Sequence, residues 1–172
     1  MDNDSFSGLS WMTEKMKAEI RKRDKIVRDE DIESLFLLDD NSDFSIALYE
    51  ILVNRHEKNP NSLNSVQLNL FLCMHLENAG QADSILTFLQ EWFPKQKRQV
   101  IKSLGEIGAP KSAEIIEQAI ALLPENDSWF FESSDENSER LMTEFDSEFS
   151  SYPDGPKKDL YREYAQKNRN EL

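Results

Sequence analysis

Little in this chain can serve as covalent or metal-binding hardware. One cysteine, two histidines, five glycines and six prolines are spread over 172 residues. No run of about 18 apolar residues occurs, the length that a membrane-spanning helix needs. The single cysteine, Cys73, excludes an internal disulfide. It lies in the apolar run LNLFLCMHL, so it reads as a small core hydrophobe rather than a reactive thiol. His75 is its only near companion, whereas a zinc site wants three or four ligands. There is no Glu-x-x-His, no glycine-rich phosphate loop and no nucleophile paired with a base, so the residues point away from an enzyme and from any cofactor or metal.

Positive charge is also scarce. Lys and Arg total 20 against 33 Asp and Glu, a formal charge of −13. Such a chain is repelled by nucleic acid and by anionic membranes over a Debye length of roughly 8 Å. Its expected partner is therefore a basic protein, with no direct nucleic-acid and no membrane contact. The opening MDNDSFSGLSW carries acids where a signal peptide needs bases, and the expected location is the cytoplasm.

What is plentiful is Leu, Ile, Ala, Glu and Lys. With so little Gly and Pro, this predicts an all-α fold: a single-domain bundle of about eight or nine short helices. Ser10 is placed to cap a first helix with Met12, Met16, Ile20, Val27 and the Arg23 stem on one stripe. Its other face carries Lys15, Lys17, Arg21, Lys22, Lys25 and Arg28 interleaved with Glu14, Glu19 and Asp24, a solvated or self-paired surface. A short helix should follow, with Asp29, Glu30 and Asp31 near its N-terminus. Ser42 should cap a third, with Phe44, Ala47, Leu48, Ile51 and Leu52 inward and Pro60 as the stop. His56, near Glu50 and Glu57, lacks ligand spacing and reads as a surface histidine.

Residues 64–79 are apolar on most sides and should form a central buried helix that leaves through Gly80. Residues 83–93 predict a fifth helix, presenting Ile85, Leu86, Phe88, Leu89 and Trp92. After Pro94, a sixth buries Val100, Ile101, Leu104 and Ile107. In IGAP, Gly108 suits the left-handed end of that helix and Pro110 the first position of the next, a tight corner rather than a phosphate loop. The seventh helix turns Ala113, Ile116, Ile120 and Leu123 inward, with Ile115, Ala119 and Leu122 widening the face. The last follows Pro156, with Leu160, Tyr161, Tyr164 and Ala165 apolar and Glu163 paired with Lys167.

The segments LNSVQLNLFLCMHLENAGQ, LGEIGAPKSAEIIEQAIALLP, FDSEFSSY and DLYREYAQKNRNEL, in that order, resemble a family of bacterial all-helical domains named for a DNA-mimic protein. The resemblance spans residues 62–172 and rests mainly on the IGAP corner and on the Asp146-x-x-Phe149 helix. Residues 1–61 are then expected as N-terminal helices packed on that domain, in one compact unit. The family usually shows Asn-Gly-Gly, Gln and paired aromatics where this chain has Asn78, Ala79, Gly80, Gln81 and ADSILTF. The resemblance implies a dimeric acidic protein that offers carboxylates to a DNA-binding protein, a transcription factor or nucleoid protein, in place of phosphates.

The residues that could do so are Glu132, Asp135, Glu136, Glu139, Glu144, Asp146 and Glu148, with Arg140 the sole base between Glu125 and Asp154. Glu136 with Glu139, and Glu144 with Glu148, have the helical spacing that sets side chains about 5–6 Å apart. Trp129, Phe130 and Phe131 either anchor a partner or fold back as a lid on the core. Two other readings use the same charge differently: an immunity-type or antitoxin inhibitor of a basic toxin nuclease, and an adaptor without mimicry.

Overall fold

Ten of the eighteen residues of one helix, Ser65–Ala82, are buried, and the fold is arranged around it. The computed structural model describes residues 11–172. Among them are nine α-helices and no strand: α1 Glu14–Asp29, α2 Ile32–Leu35, α3 Asn41–Lys58, α4 Ser65–Ala82, α5 Lys97–Glu106, α6 Pro110–Ala121, α7 Phe130–Ser133, α8 Glu136–Ser150 and α9 Lys157–Lys167. The all-α single-domain expectation holds. α4 packs against α3, α5 and α8; α1 and α9 lie on α3, and α6 bridges α5 and α8. One continuous apolar core runs from Ile26 to Ala165.

Local signals explain most helix ends. Asn64 caps α4 by accepting from the Gln67 amide at 2.9 Å. The IGAP corner forms as its residues dictate. Gly108 sits at φ 86°, the Ala109 amide reaches back to the Leu104 carbonyl at 2.8 Å, and Gly108 donates to Gly105 at 3.1 Å. This is the double bond of a left-handed helix exit. Pro110 then opens α6, whose first amides have no cap from their own segment. Asp154 supplies it from afar, accepting from Lys111 at 2.9 Å and Ser112 at 2.8 Å.

Several boundaries differ from expectation. The Ser10 cap lies outside the described residues; Thr13 caps α1. On that helix Met16 is exposed, whereas Ile26, off the expected stripe, is buried. Only Asp31 caps α2, because Glu30 is taken up as the left-handed end of α1, where Arg55 and Lys58 bind it. Asp40, not Ser42, caps α3 and accepts the Ser42 and Asp43 amides. Gly80 does not end α4, which runs on to Ala82. A Cβ there would lie 3.6 Å from the Phe149 ring, an ordinary contact, so nothing in the packing demands a glycine. The fifth helix is a wide π-helical turn, Thr87–Trp92, with Trp92 exposed. Buried Ser112, Ile115, Ile116 and Ala119 centre the inner face of α6, rotated from the expected stripe. No Glu163–Lys167 pair closes; Lys158 and Arg162 of α9 instead reach Ser42 and Asn41 of α3.

The polar atoms that α4 carries inward are answered by its neighbours. Asn69 donates to the Tyr164 hydroxyl at 2.9 Å and accepts from the Ser103 hydroxyl at 2.8 Å, tying α4 to α9 and α5. Buried amides need such partners, since leaving one unmet costs about 1–3 kcal/mol. The two glycines of the α5 end should respond oppositely to alanine. Gly105 is helical with open space around its Cβ position, so Gly105→Ala should stabilise by about 0.5–1 kcal/mol. Gly108→Ala forces a side chain into the left-handed region and should destabilise by about 1 kcal/mol. Urea unfolding of the two variants measures both signs.

Candidate acidic interface

The carboxylates that looked alike in sequence divide in the structure into those that hold the fold together and those left to solvent. Asp135 caps α8, accepting from the Ser138 amide at 2.7 Å; that bond holds its carboxyl below the usual range. Asp146 accepts the Ile85 amide at 2.8 Å, so a residue of α8 caps the helical turn that follows α4. Burial pushes its pKa up, opposed by that amide and aided by Asp83. Phe149, three residues on, is buried against Gly80. The Asp146-x-x-Phe149 motif is thus a packing device.

The other five face outward in different degrees. Glu139 is half-buried and accepts from Ser134 at 2.8 Å. Glu136, Arg140, Glu144 and Glu148 follow at i, i+4 intervals along one exposed edge of α8. Arg140 stands inside that row and donates to Glu144 at 2.5 Å and to Asn137 at 2.9 Å. Glu132, Glu136 and Glu148 are exposed, and their carboxylates have no hydrogen-bond or ion-pair partner among the described residues. α6, which packs on α8, adds exposed Glu114 and Glu117, which sequence reasoning did not single out. Only their polar positions opposite the Ile115, Ile116 and Ala119 face could have marked them.

The aromatic triplet splits as well. Phe130 is 1% exposed and belongs to the core, its amide held by Gln90 at 2.9 Å. Trp129 is half-buried against the same core, while Phe131 is 55% exposed. The segment is therefore a lid through Phe130 and Trp129, and only Phe131 presents an open ring beside Glu132.

Neither histidine is a ligand in waiting. His56, expected at the surface, is half-buried and stacks on Phe71 at 4.5 Å between ring centroids. His75 lies between Tyr49 and the Phe71 carbonyl, at 3.2 and 3.0 Å. Burial lowers its pKa to about 4. Cys73 is fully buried, and burial raises its thiol pKa far above the ordinary value. Among the described residues no group of three His, Cys, Asp or Glu could hold a metal ion, and no helix is long and apolar enough to cross a membrane.

Helices throughout the described residues, buried motif residues and an acidic outer edge together define an acidic α-helical protein whose signature residues serve its packing. Residues 61–168 match the DMP19-like protein family, and the chain belongs to that family, one named for a DNA mimic. Helices α1 to α3 lie outside the matched segment. Neither a curated protein nor a solved structure matches the chain.

The division of carboxylates is measurable. Asp146→Ala should cost about 1–3 kcal/mol, because the Ile85 amide loses its acceptor. Glu136→Gln with Glu148→Gln should leave stability within about 0.5 kcal/mol. Chemical denaturation distinguishes the two. His75 gives a pH signature. The unfolded chain takes up its proton near pH 6.5 and the folded chain only near pH 4. Its contribution is complete above 6.5 and is lost as pH falls towards 4. That loss should be on the order of 2 kcal/mol after solvent screening, and should disappear from the pH profile of His75→Gln.

Proposed function

We propose that this chain is a non-enzymatic acidic protein that binds a basic DNA-binding protein, a transcription factor or a nucleoid protein, by occupying its nucleic-acid site. Membership of the family named for a DNA mimic is the observation that carries this reading. Charge and geometry support it. The formal charge is −13, and Glu144 and Glu148 stand one helical turn apart, about 5–6 Å at their Cβ atoms, in a row with Glu136. Glu132 and Phe131 adjoin that row in sequence and give it a mixed anionic and aromatic end. In this proposal Glu132, Glu136, Glu144 and Glu148 receive the partner's Arg and Lys, while Asp135, Glu139 and Asp146 hold α7 and α8 in position. Arg140 interrupts the row, so the imitation of a phosphate backbone is local to each side of it. The protein would act in the cytoplasm as a homodimer.

A complex held by such pairs weakens steeply with salt, more so than one held by apolar contacts. The test is capture from host lysate at low salt and at about 0.5 M, with the wild type and with Glu132, Glu136, Glu144 and Glu148 all changed to Gln. The expected result is a DNA-binding protein retained at low salt by the wild type, lost from the variant and displaced by duplex DNA. Capture of a nuclease under the same conditions would replace the transcription-factor reading with the immunity reading. Capture indifferent to salt, substitution and DNA would overturn mimicry.

A further inference from the structure

The described residues include a pocket unrelated to the α8 surface. Its walls come from α3, α4, the 151–156 turn and the start of α9, and it encloses about 860 Å³. That is the size of a small-molecule site. Its lining is mixed: Ile46, Tyr49 and Met74 offer apolar surface, and Asn78 and Gln81 offer amides.

Three unmet polar features meet there. Lys157 is 1% exposed. Its ammonium sits 4.1 Å from the Phe149 ring and 4.7 Å from that of Tyr152, and it has no hydrogen-bond or ion-pair partner among the described residues. None of its three donors is used within the protein, and Glu77 and Asp154 ease its charge only through space, so the ammonium is open to a ligand acceptor. Secondly, α9 begins at Lys157 with no side chain capping it, and a cation at a helix N-terminus opposes the helix dipole. Thirdly, the Ser45 hydroxyl on the α3 wall is buried without a partner.

The one carboxylate in the lining is already engaged. Glu77 accepts from the Tyr161 hydroxyl at 2.8 Å and from Gln81 at 3.3 Å, and it forms no ion pair with Lys157. Lys158 at the same wall donates to Ser42 at 3.0 Å. Two lysines stand against one glutamate in the lining itself, with Asp154 and Asp40 acting on them from outside it.

We propose that this pocket binds a small organic monocarboxylate with an apolar or aromatic body, its carboxylate received by Lys157, the α9 N-terminus and Ser45, and its body by Ile46, Tyr49 and Met74. Glu77 makes a dianion such as a phosphomonoester the poorer ligand, because a second negative charge would stand near a carboxylate. The pocket shares no residue with the α8 surface, so this inference and the mimic reading fail independently.

Titration calorimetry on the full chain with 3-phenylpropionate tests it. Saturable binding is expected, at least about tenfold tighter than for neutral 3-phenylpropanol, cationic 3-phenylpropylamine or dianionic phenyl phosphate. Lys157→Met, which keeps the stem and removes the charge, should weaken it by about tenfold or more. Ile46→Glu, at an exposed rim position, should do the same by repulsion without touching the core. In the wild type, the NMR signals of the Lys157 side chain should shift on addition of the acid. Equal binding of acid, alcohol and amine would overturn the proposal. So would tighter binding of phenyl phosphate, undiminished binding to the folded variants, or no binding of the acid.

Discussion

A helix buried on nearly every side must have all its inward polar groups answered by neighbours, and α4 imposes that requirement on the rest of the molecule. Its flanks are apolar enough to gather α3, α5 and α8 around it. The Asn69 amide then selects which residues may face it, donating to Tyr164 and accepting from Ser103 and Gln99. The far end of the chain is drawn to the same helix. Asn64 and Gln67 donate to the Glu171 carbonyl at 2.6 and 2.8 Å, and Arg55 of α3 donates to that of Leu172 at 3.0 Å. The order of packing thus follows from apolar burial, and its register from a few hydrogen bonds that burial makes expensive to lose.

The acidic composition serves two ends that compete for the same residues. Asp31, Asp40, Asp135, Asp146 and Asp154 each accept backbone amides at the start of a helix or helical turn. There a carboxylate is stabilised both by the bond and by the helix dipole. These are short aspartates. The side chains left over on α8 are mostly the longer glutamates, which reach water more easily than they reach their own backbone. An interface made of Glu132, Glu136, Glu144 and Glu148 therefore costs the fold little, since none of the four caps a helix.

Lys157 sets the opposite problem. Its stem belongs to the core beside Phe149, and its charge faces two aromatic rings. Burial lowers its pKa, while Glu77 and Asp154 raise it. Around it, Gln81 near the end of α4 donates to the Tyr152 hydroxyl at 2.5 Å and so helps shape the pocket wall.

Helical periodicity and capping chemistry act within a few residues, so the helices, the buried face of α3, the buried α4 and the IGAP corner were legible in the chain itself. So was the excess of acid. The α3 cap was misplaced on Ser42 because Asp40, two residues earlier, is an equally good capping type, and the backbone entering the helix decides which side chain meets the free amides. Gly80 misled because a glycine inside the last turn of a helix looks the same in sequence as one that ends it, and α4 runs on to Ala82. What the sequence determined by itself is an acidic all-helical chain with a recognisable family pattern. Which carboxylates stay exposed, and that Lys157 is buried beside a pocket, were decided only by tertiary structure. The bond from Ile85 to Asp146 spans 61 positions and that from Lys111 to Asp154 spans 43, distances over which no local pattern carries information.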